Sequence, residues 1–412
     1  MVYVLNKNGQ PLMPTENYAK VRVLLKQGKA RVIKKCPFTI QLMYCSTNHT
    51  QKITLGIDSG SRHIGISATI KDKVLFEANV ELRNDIVDLI SARRELRRSR
   101  RNRKTRYRKT RFDNRRRLDG WIAPSVKQKA DSHVTMIAKV HKILPVTDIV
   151  VETASFDIQK IKNPDISGTG YQHGDQTDFW NVREYVLFRD GHICQCCKGR
   201  SKDKILNVHH IESRKAGGDA PNNLITLCET CHKGYHKGTV KLPKTIHRGM
   251  SFRDAAFMGI MRWAVYEKLK VIYPSVKNTY GYITKNIRIE NGLPKDHHVD
   301  ARCISGNPKA VGDGTVYYYK KVRCHNRQIH KCTINKGGIR KRNQAPYEVK
   351  GFRLYDKVLW KNQVCFIFGR RSTGRMDIRL LDGTHINASV GYKNLRLLDI
   401  RGNYLIEQKK TG

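Results

Sequence analysis

Cys194 and Cys197 stand three positions apart, as do Cys228 and Cys231; between the pairs lie His209-His210 and Asn222-Asn223, with His232 and His236 close behind. Two Cys-x2-Cys pairs have the spacing with which four thiolates close a tetrahedron around a structural zinc ion. Cys196 sits inside the first pair and competes with Cys197 for the same ligand position. The histidines suit a different chemistry. A His pair on a strand, an Asn from a loop and two His four apart on a helix are what a one-metal phosphodiesterase needs. Some of these groups hold a divalent ion on the scissile phosphate, and one neutral imidazole takes a proton from the attacking water. A Cys/His-rich DNA-binding finger without catalysis is the alternative.

A second set of reactive groups is spread along the chain. The apolar run from Ile53 ends in Asp58 and breaks into Ser59-Gly60, and Ile149-Val-Val-Glu152 repeats the pattern of a buried strand ending in an acid. His297 and Asp300, three apart after Pro294, share one face of a helix. Taken singly, such acids read as turn formers or strand-end charges. Carboxylates converging from two strands and a helix can hold two Mg²⁺ ions about 4 Å apart, which activate a water and stabilise the leaving oxygen. His297 then helps activate the water or stabilise charge at the phosphate, or it only orients Asp300.

Those acids need a sheet. Three strands can be drawn from Ile53 (the Asp58 strand, Ile64 to Ile70, and Val74 to Leu82). An amphipathic helix starting at Asp131 or Ser132 follows, bearing Val134, Ile137 and Val140, and then the Glu152 strand. This is the order of a ribonuclease-H-like layer. Residues 1 to 50 read as a small basic unit with strands at Val2 to Leu5 and Phe38 to Met43, a helix from Tyr18 to Gln27, and a rigid Pro11-Leu-Met-Pro14 turn. A Gly/Asp/Gln-rich linker occupies about 163 to 178, and the Cys/His module begins near Trp180. Beyond it come an amphipathic run from Phe252 to Leu269, a short strand at Val271-Ile-Tyr273, and a basic stretch past Gly306. Alternating strands with Gly turns between Gly351 and Leu398 suggest a small β-barrel.

The chain has 412 residues and a formal charge of +44, from 79 Lys plus Arg against 35 Asp plus Glu. That excess points to a polyanionic partner, because each phosphate neutralised releases counterions. No apolar run approaches the roughly 18 residues a membrane span needs. The N-terminus lacks the pattern of a signal peptide, and eleven cysteines, odd in number and with five of them clustered between Cys194 and Cys231, read as metal ligands in a reducing compartment. Between Arg93 and Arg117, fifteen of twenty-five positions are Arg or Lys, without Gly or Pro. This is either a solvated basic arm or a helix laid against phosphates, and the dominance of Arg, whose planar fork suits phosphate oxygens, favours the helix. Arg93, Arg94, Arg97, Arg98, Arg100, Arg101, Arg103, Lys104, Arg106 and Arg108 are its nucleic-acid-binding candidates.

Over about sixty positions the Cys/His module resembles the HNH nuclease family. The resemblance implies His210 as general base, His209 and His232 as catalytic-metal ligands with His236 assisting, and Asn223 as the brace of the active loop. Asp58, Glu152, His297 and Asp300 match in order the three segments of a RuvC nuclease. A split RuvC domain, an Arg-rich bridge, an inserted HNH module and the N-terminal Pro-Leu-Met-Pro together resemble IscB, a family of transposon-encoded RNA-guided DNA nucleases. Ser59 stands where many relatives use Pro. The expected architecture is α/β and multidomain: a PLMP domain (1–50), RuvC segment I (51–92), a bridge helix (93–120) and RuvC segment II (121–165). The linker and the ββα-metal HNH module with its four-cysteine zinc site (166–245) come next, then RuvC segment III (246–306). The last part is a basic C-terminal region with a small β-barrel that reads a target-adjacent motif (307–412).

The resemblance implies two Mg²⁺ ions in RuvC and one in HNH, with Mn²⁺ an alternative, and a noncoding guide RNA as partner. The HNH module would cut the guide-paired strand of double-stranded DNA and RuvC the displaced strand. The assembly expected is a monomeric ribonucleoprotein in the cytoplasm of a prokaryotic cell. A protein-guided HNH/RuvC endonuclease and a non-catalytic RNA-binding protein are the two competing classes; the joint presence of Asp58, Glu152, Asp300 and His210 argues against the second.

Overall fold

The computed structural model describes residues 1–101, 120–153, 181–212, 220–247, 249, 253–323, 325, 337 and 344–410. The protein is a mixed α/β chain of two compact units, Met1–Ala154 with Ile260–Gly412, and Ser155–Gly259. The first unit opens with β1 (Tyr3–Leu5), α1 (Tyr18–Lys26), β2 (Ala30–Lys34) and β3 (Thr39–Leu42), the strands in the order β1-β3-β2. Asn17 caps α1 by accepting the Lys20 N–H at 2.9 Å, and Gly28 ends it at φ +68°. The Pro11–Pro14 turn faces two cores at once: Leu12 is buried among Val4, Val21 and Ile40, while Met13 packs on the main core.

The main sheet begins with an antiparallel meander, β4 (Thr54–Ser59), β5 (His63–Ile70) and β6 (Lys73–Glu81). The helix α2 (Ile86–Arg101) starts seven residues ahead of the Arg-rich stretch, and the remainder of that stretch, with Arg103, Lys104, Arg106 and Arg108, lies outside the described residues. α3 (Pro124–His141) also starts earlier than expected. Pro124 occupies the first helical turn, where its missing N–H costs nothing, and Ser132 bonds back to the Gln128 carbonyl at 2.8 Å instead of capping. β7 (Asp148–Thr153) then pairs in parallel with β4.

The second unit contains α4 (Val182–Arg189), the antiparallel pair β8 (Leu206–His210) and β9 (Leu224–Cys228), and α5 (Glu229–Lys237), a ββα arrangement preceded by one helix. The expected linker at 163–178 lies outside the described residues.

After α6 (Arg253–Ile272) the chain adds β10 (Lys277–Tyr280), α7 (Gly281–Glu290), α8 (His297–Ile304) and β11 (Thr315–Lys321). Of the strand expected at Val271–Tyr273, Val271 and Ile272 are instead the end of α6, and Tyr273 follows it. Met261, Val265 and Leu269 are buried at a helical period, and β-branched Val271 and Ile272 stay exposed on the outer face. The C-terminal strands are β12 (Glu348–Val349), β13 (Phe352–Arg353), β14 (Lys357–Trp360), β15 (Gln363–Arg370), β16 (Arg375–Arg379), β17 (His385–Gly391), β18 (Arg396–Asp399) and β19 (Tyr404–Lys410). The five strands expected to form a barrel make a sheet in the order β17-β16-β15-β14-β18 over a core of Val358, Cys365, Ile367, Met376 and Ile378. Its edge strands β17 and β18 do not pair among the described residues, so the sheet is open.

The main sheet has seven strands, β10-β7-β4-β5-β6-β11-β19, and takes its last two from residues beyond 306. Period-two alternation divides its faces. Leu55, Ile57, Ile64, Ile66, Ala78, Val80, Ile149 and Val151 belong to one buried apolar core with Met136 and Ile137 of α3 and Val265 and Leu269 of α6. The intervening positions are small or polar (Gly56, Asp58, Gly65, Ser67, Glu77, Asn79 and Glu152), and α8 packs on β4 and β5 over this face.

Candidate active sites

The first site lies on the polar face. Asp58 is the fifth residue of β4, and the parallel pairing of Ile57 with Val151 brings Glu152 of β7 to the same level of the sheet. α8 comes close because two glycines leave room for it. A Cβ on Gly56 would collide with the Ala301 carbonyl and lie 2.6 Å from the Ser305 nitrogen, and a Cβ on Gly65 would collide with the His297 carbonyl. Polar contacts to the same sheet hold the helix down: Arg302 Nε lies 3.0 Å from Glu77, Thr69 donates to Ser305 at 2.8 Å, and Asn79 donates to Asp296 at 2.8 Å.

Docked in this way, α8 presents His297 and Asp300 to the strand acids. His297 Nδ1 is 2.7 Å from Asp58 Oδ2, and its ring stacks on His63 at 5.2 Å. Each of the other two acids has a cationic partner. Arg262, which is 8% exposed on α6, bridges Glu152 at 2.8 Å and the Ser59 carbonyl at 2.8 Å, and Arg288 of α7 pairs with Asp300 at 2.9 Å. Burial raises the Glu152 carboxyl to about 7 against the pull of Arg262, with Asp58 and Asp300 pushing the same way as burial. Asp300 is raised by burial and then by Asp58, and His297 is raised chiefly by its hydrogen bond to Asp58. Three carboxylates converging on one face of the sheet make a set of hard oxygen donors suited to a hard divalent ion, and each keeps a second oxygen beyond the one paired above.

The second unit holds two clusters. The ligand atoms of Cys194, Cys197, Cys228 and Cys231 lie within 4.8 Å of one another. The Cys197–Cys228 sulfur separation is 3.7 Å, close to the edge of about 3.8 Å expected for a tetrahedron with Zn–S bonds of about 2.3 Å. The four cysteines therefore fit a structural zinc. Cys196 is outside the group, and Ser201 donates to Cys228 at 3.0 Å. Hydrogen bonding from Ser201 lowers Cys197 to about 6.

His209, His232 and His236 form the other cluster, with the Nε2 atoms of His232 and His236 3.3 Å apart. Burial, then His232 and His236, depress His209 to about 4, so its ring is neutral and free to coordinate. Three imidazoles are a borderline donor set that fits Mn²⁺ or Zn²⁺ and departs from the oxygen shell Mg²⁺ takes. His210 is the last residue of β8, opposite Leu224, and is not part of the three-His group. Fully buried Asn223 closes the loop after it: its Oδ1 accepts the Glu212 N–H at 2.9 Å and its Nδ2 donates to the Glu212 carbonyl at 3.0 Å. Gly217 and Gly218 lie outside the described residues.

In α2, Arg93, Arg94, Arg97 and Arg98 are exposed. Sequence reasoning missed Arg262, Arg288 and His63. Nothing distinguishes the two arginines among 79 basic residues until the fold places them beside acids.

Residues 194–238 match the HNH endonuclease family, and residues 2–174 match the family described as RRXRR protein. The second unit thus carries an HNH endonuclease domain. The chain as a whole joins that domain to an RRXRR domain. A 55-residue segment is 40% identical to anaredoxin of Nostoc sp. (strain PCC 7120 / SAG 25.82 / UTEX 2576), covering 13% of this chain and 70% of that protein, and through this segment the chain belongs to one family with anaredoxin. Two crystal structures of Streptococcus thermophilus Cas9, with the AGAA PAM and with the GGAA PAM, match at 13% and 14% identity over 53% and 54% of this chain, each with a TM-score of 0.33. The chain covers 31% and 32% of those proteins. Among the described residues, no helix is long and apolar enough to cross a membrane.

Proposed function

We propose that the protein is an RNA-guided, double-stranded DNA endonuclease of the IscB kind, with a ribonuclease-H-like RuvC site at Asp58, Glu152, His297 and Asp300 and an HNH site at His209, His210, Asn223, His232 and His236. The observation that carries this reading is the presence of two separate phosphodiesterase-type constellations in one chain of charge +44. One is a ββα module with three clustered imidazoles. The other is an acid set on a sheet whose strands run, from β6 to β10, as an antiparallel meander followed by two parallel additions. Two active sites let one chain cut both strands of a duplex.

At the HNH site His210 takes the proton of the attacking water, and the Asn223 clamp on Glu212 fixes the loop that follows it. A divalent ion held by His209, His232 and His236 would polarise the phosphate and stabilise the leaving oxygen. At the RuvC site Asp58, Glu152 and Asp300 would hold hard cations that supply the same polarisation, while the His297 imidazole, whose hold on a proton is strengthened by its hydrogen bond to Asp58, helps activate the water or stabilise charge at the phosphate. The HNH module cuts the guide-paired strand and the RuvC site the displaced one. The Arg93–Arg108 stretch grips the guide RNA and the C-terminal sheet reads a motif beside the target. Base pairing then reads sequence while the protein reads duplex shape and backbone.

The test is strand-resolved. The gene is expressed with its flanking DNA, the RNA that copurifies is sequenced, and a target matching that RNA is labelled on each strand. Asp58→Ala should leave only the guide-paired strand cut, and His210→Ala only the displaced strand. Absence of a discrete RNA, or both strands cut in either variant, overturns the reading.

A further inference from the structure

Beside Glu152 the chain displays an aromatic feature that the chemistry above does not use. Tyr280 ends β10 and Tyr282 lies in the first turn of α7; they are 41% and 66% exposed, with rings parallel to within 10° and centroids 6.1 Å apart. Gly281 between them fixes their position relative to the acid site. A Cβ at Gly281 would lie 2.9 Å from Glu152 Oε1, so the tyrosine backbone runs directly against the carboxylate. Thr279 pairs with Glu152 and Tyr280 with Thr153, which locks the register.

The face continues along α7. Tyr282, Lys285, Asn286 and Ile289 are exposed at the i, i+3, i+4, i+7 spacing of one helical stripe, whereas Arg288, on another side, pairs with Asp300 of the site. An exposed stripe of stacked aromatic rings, a lysine and an amide suits a strand whose bases are free to stack and whose backbone is anionic. A duplex does not offer its base faces.

We propose that Tyr280 and Tyr282 form a stacking subsite for single-stranded DNA, on which a base of the strand entering the acid site rests while Lys285 meets the backbone. This rests on the reading of Asp58, Glu152 and Asp300 as a nuclease site. The subsite explains how an acid set of that kind acts on a displaced strand rather than on a duplex: a base anchored on the rings fixes the phosphodiester a short step from Glu152.

The test uses the full chain with Ca²⁺ in place of the catalytic ion and a single-stranded oligothymidine bearing one 2-aminopurine, whose fluorescence is quenched by stacking. The wild-type protein should quench the probe. The Tyr280→Ala/Tyr282→Ala pair should lose the quench and bind about tenfold more weakly or worse, and the Tyr280→Phe/Tyr282→Phe pair should restore both. A wild-type melting temperature marks a folded variant. If the double alanine variant does not fold, Tyr282→Ala alone, at the more exposed position, carries the test. Quenching by the alanine variants equal to wild type overturns the proposal, as does a wild-type protein that does not quench. The nuclease reading fails separately, if Asp58→Ala leaves cutting of both strands intact.

Discussion

His297 Nδ1 sits 2.7 Å from Asp58 Oδ2 across 239 residues of sequence, and this contact marks where the last helix of the acid site meets its first strand. It depends on how closely α8 approaches the sheet.

That approach depends on absent side chains. Gly65→Ala should push the His297 carbonyl off β5 and separate His297 from Asp58, at a cost of about 1–3 kcal/mol for the overpacking. Cutting of the displaced strand should fall far more than cutting of the guide-paired strand, measured on a substrate labelled on both strands. Equal loss on the two strands would point to general unfolding instead.

Glu152 sets a pH dependence. Its carboxyl is raised to about 7 by burial, and a cation binding there would have to displace the remaining proton. The Mg²⁺ concentration for half-maximal cutting of the displaced strand should therefore fall as pH rises from 6 to 7 and level off above. Without metal the sign for stability is the opposite: the folded state holds this proton more tightly than the unfolded chain, so stability declines as pH rises from about 4.5 to 7. Melting curves with and without Mg²⁺ at pH 5, 6, 7 and 8 would check both.

Cys196 and Cys197 should differ sharply. Cys197→Ser should remove a zinc ligand and destabilise the HNH module, because the binding energy of a structural zinc is largely folding energy. Cys196→Ser should leave the metal in place. Zinc content by elemental analysis, with a melting curve for each variant, separates them.

The three-imidazole cluster should prefer a softer ion than the acid site does. Titration of metal-stripped protein should show Mn²⁺ supporting guide-paired strand cutting at lower concentration than Mg²⁺, with a smaller difference on the other strand. His209 is depressed to about 4, so its own protonation opposes metal uptake only as pH falls well below the usual histidine range.

Strand-end acids announce themselves in sequence because an apolar β-branched run marks a buried strand, and a carboxylate at its end is costly to bury without a partner or an ion. The register that puts Asp58 beside Glu152 is not readable in this way, since it follows from pairing across residues 54 to 151. The Cys-x2-Cys pairs were legible by spacing alone, yet the choice against Cys196 needed the grouping of the sulfurs in space. Short-range signals misplaced elements where a longer pattern prevailed. Val271-Ile272 has strand composition, but the buried period of Met261, Val265 and Leu269 carries the helix through it. The cations that neutralise the acids were hidden by abundance.

The parallel pairing of β7 with β10 joins Thr153 to Tyr280, and the entire second unit is strung between those two strands. The meander of β4, β5 and β6 pairs sequence neighbours, whereas β10, and with it the place Gly281 takes against Glu152, closes a loop of more than a hundred residues, at a larger entropic cost. The two sites therefore differ in reach: the metal-ligand candidates of the HNH module all lie between Cys194 and His236, whereas the acid site is complete only when strands and a helix far apart in sequence have paired. A half-folded chain would hold its acids apart.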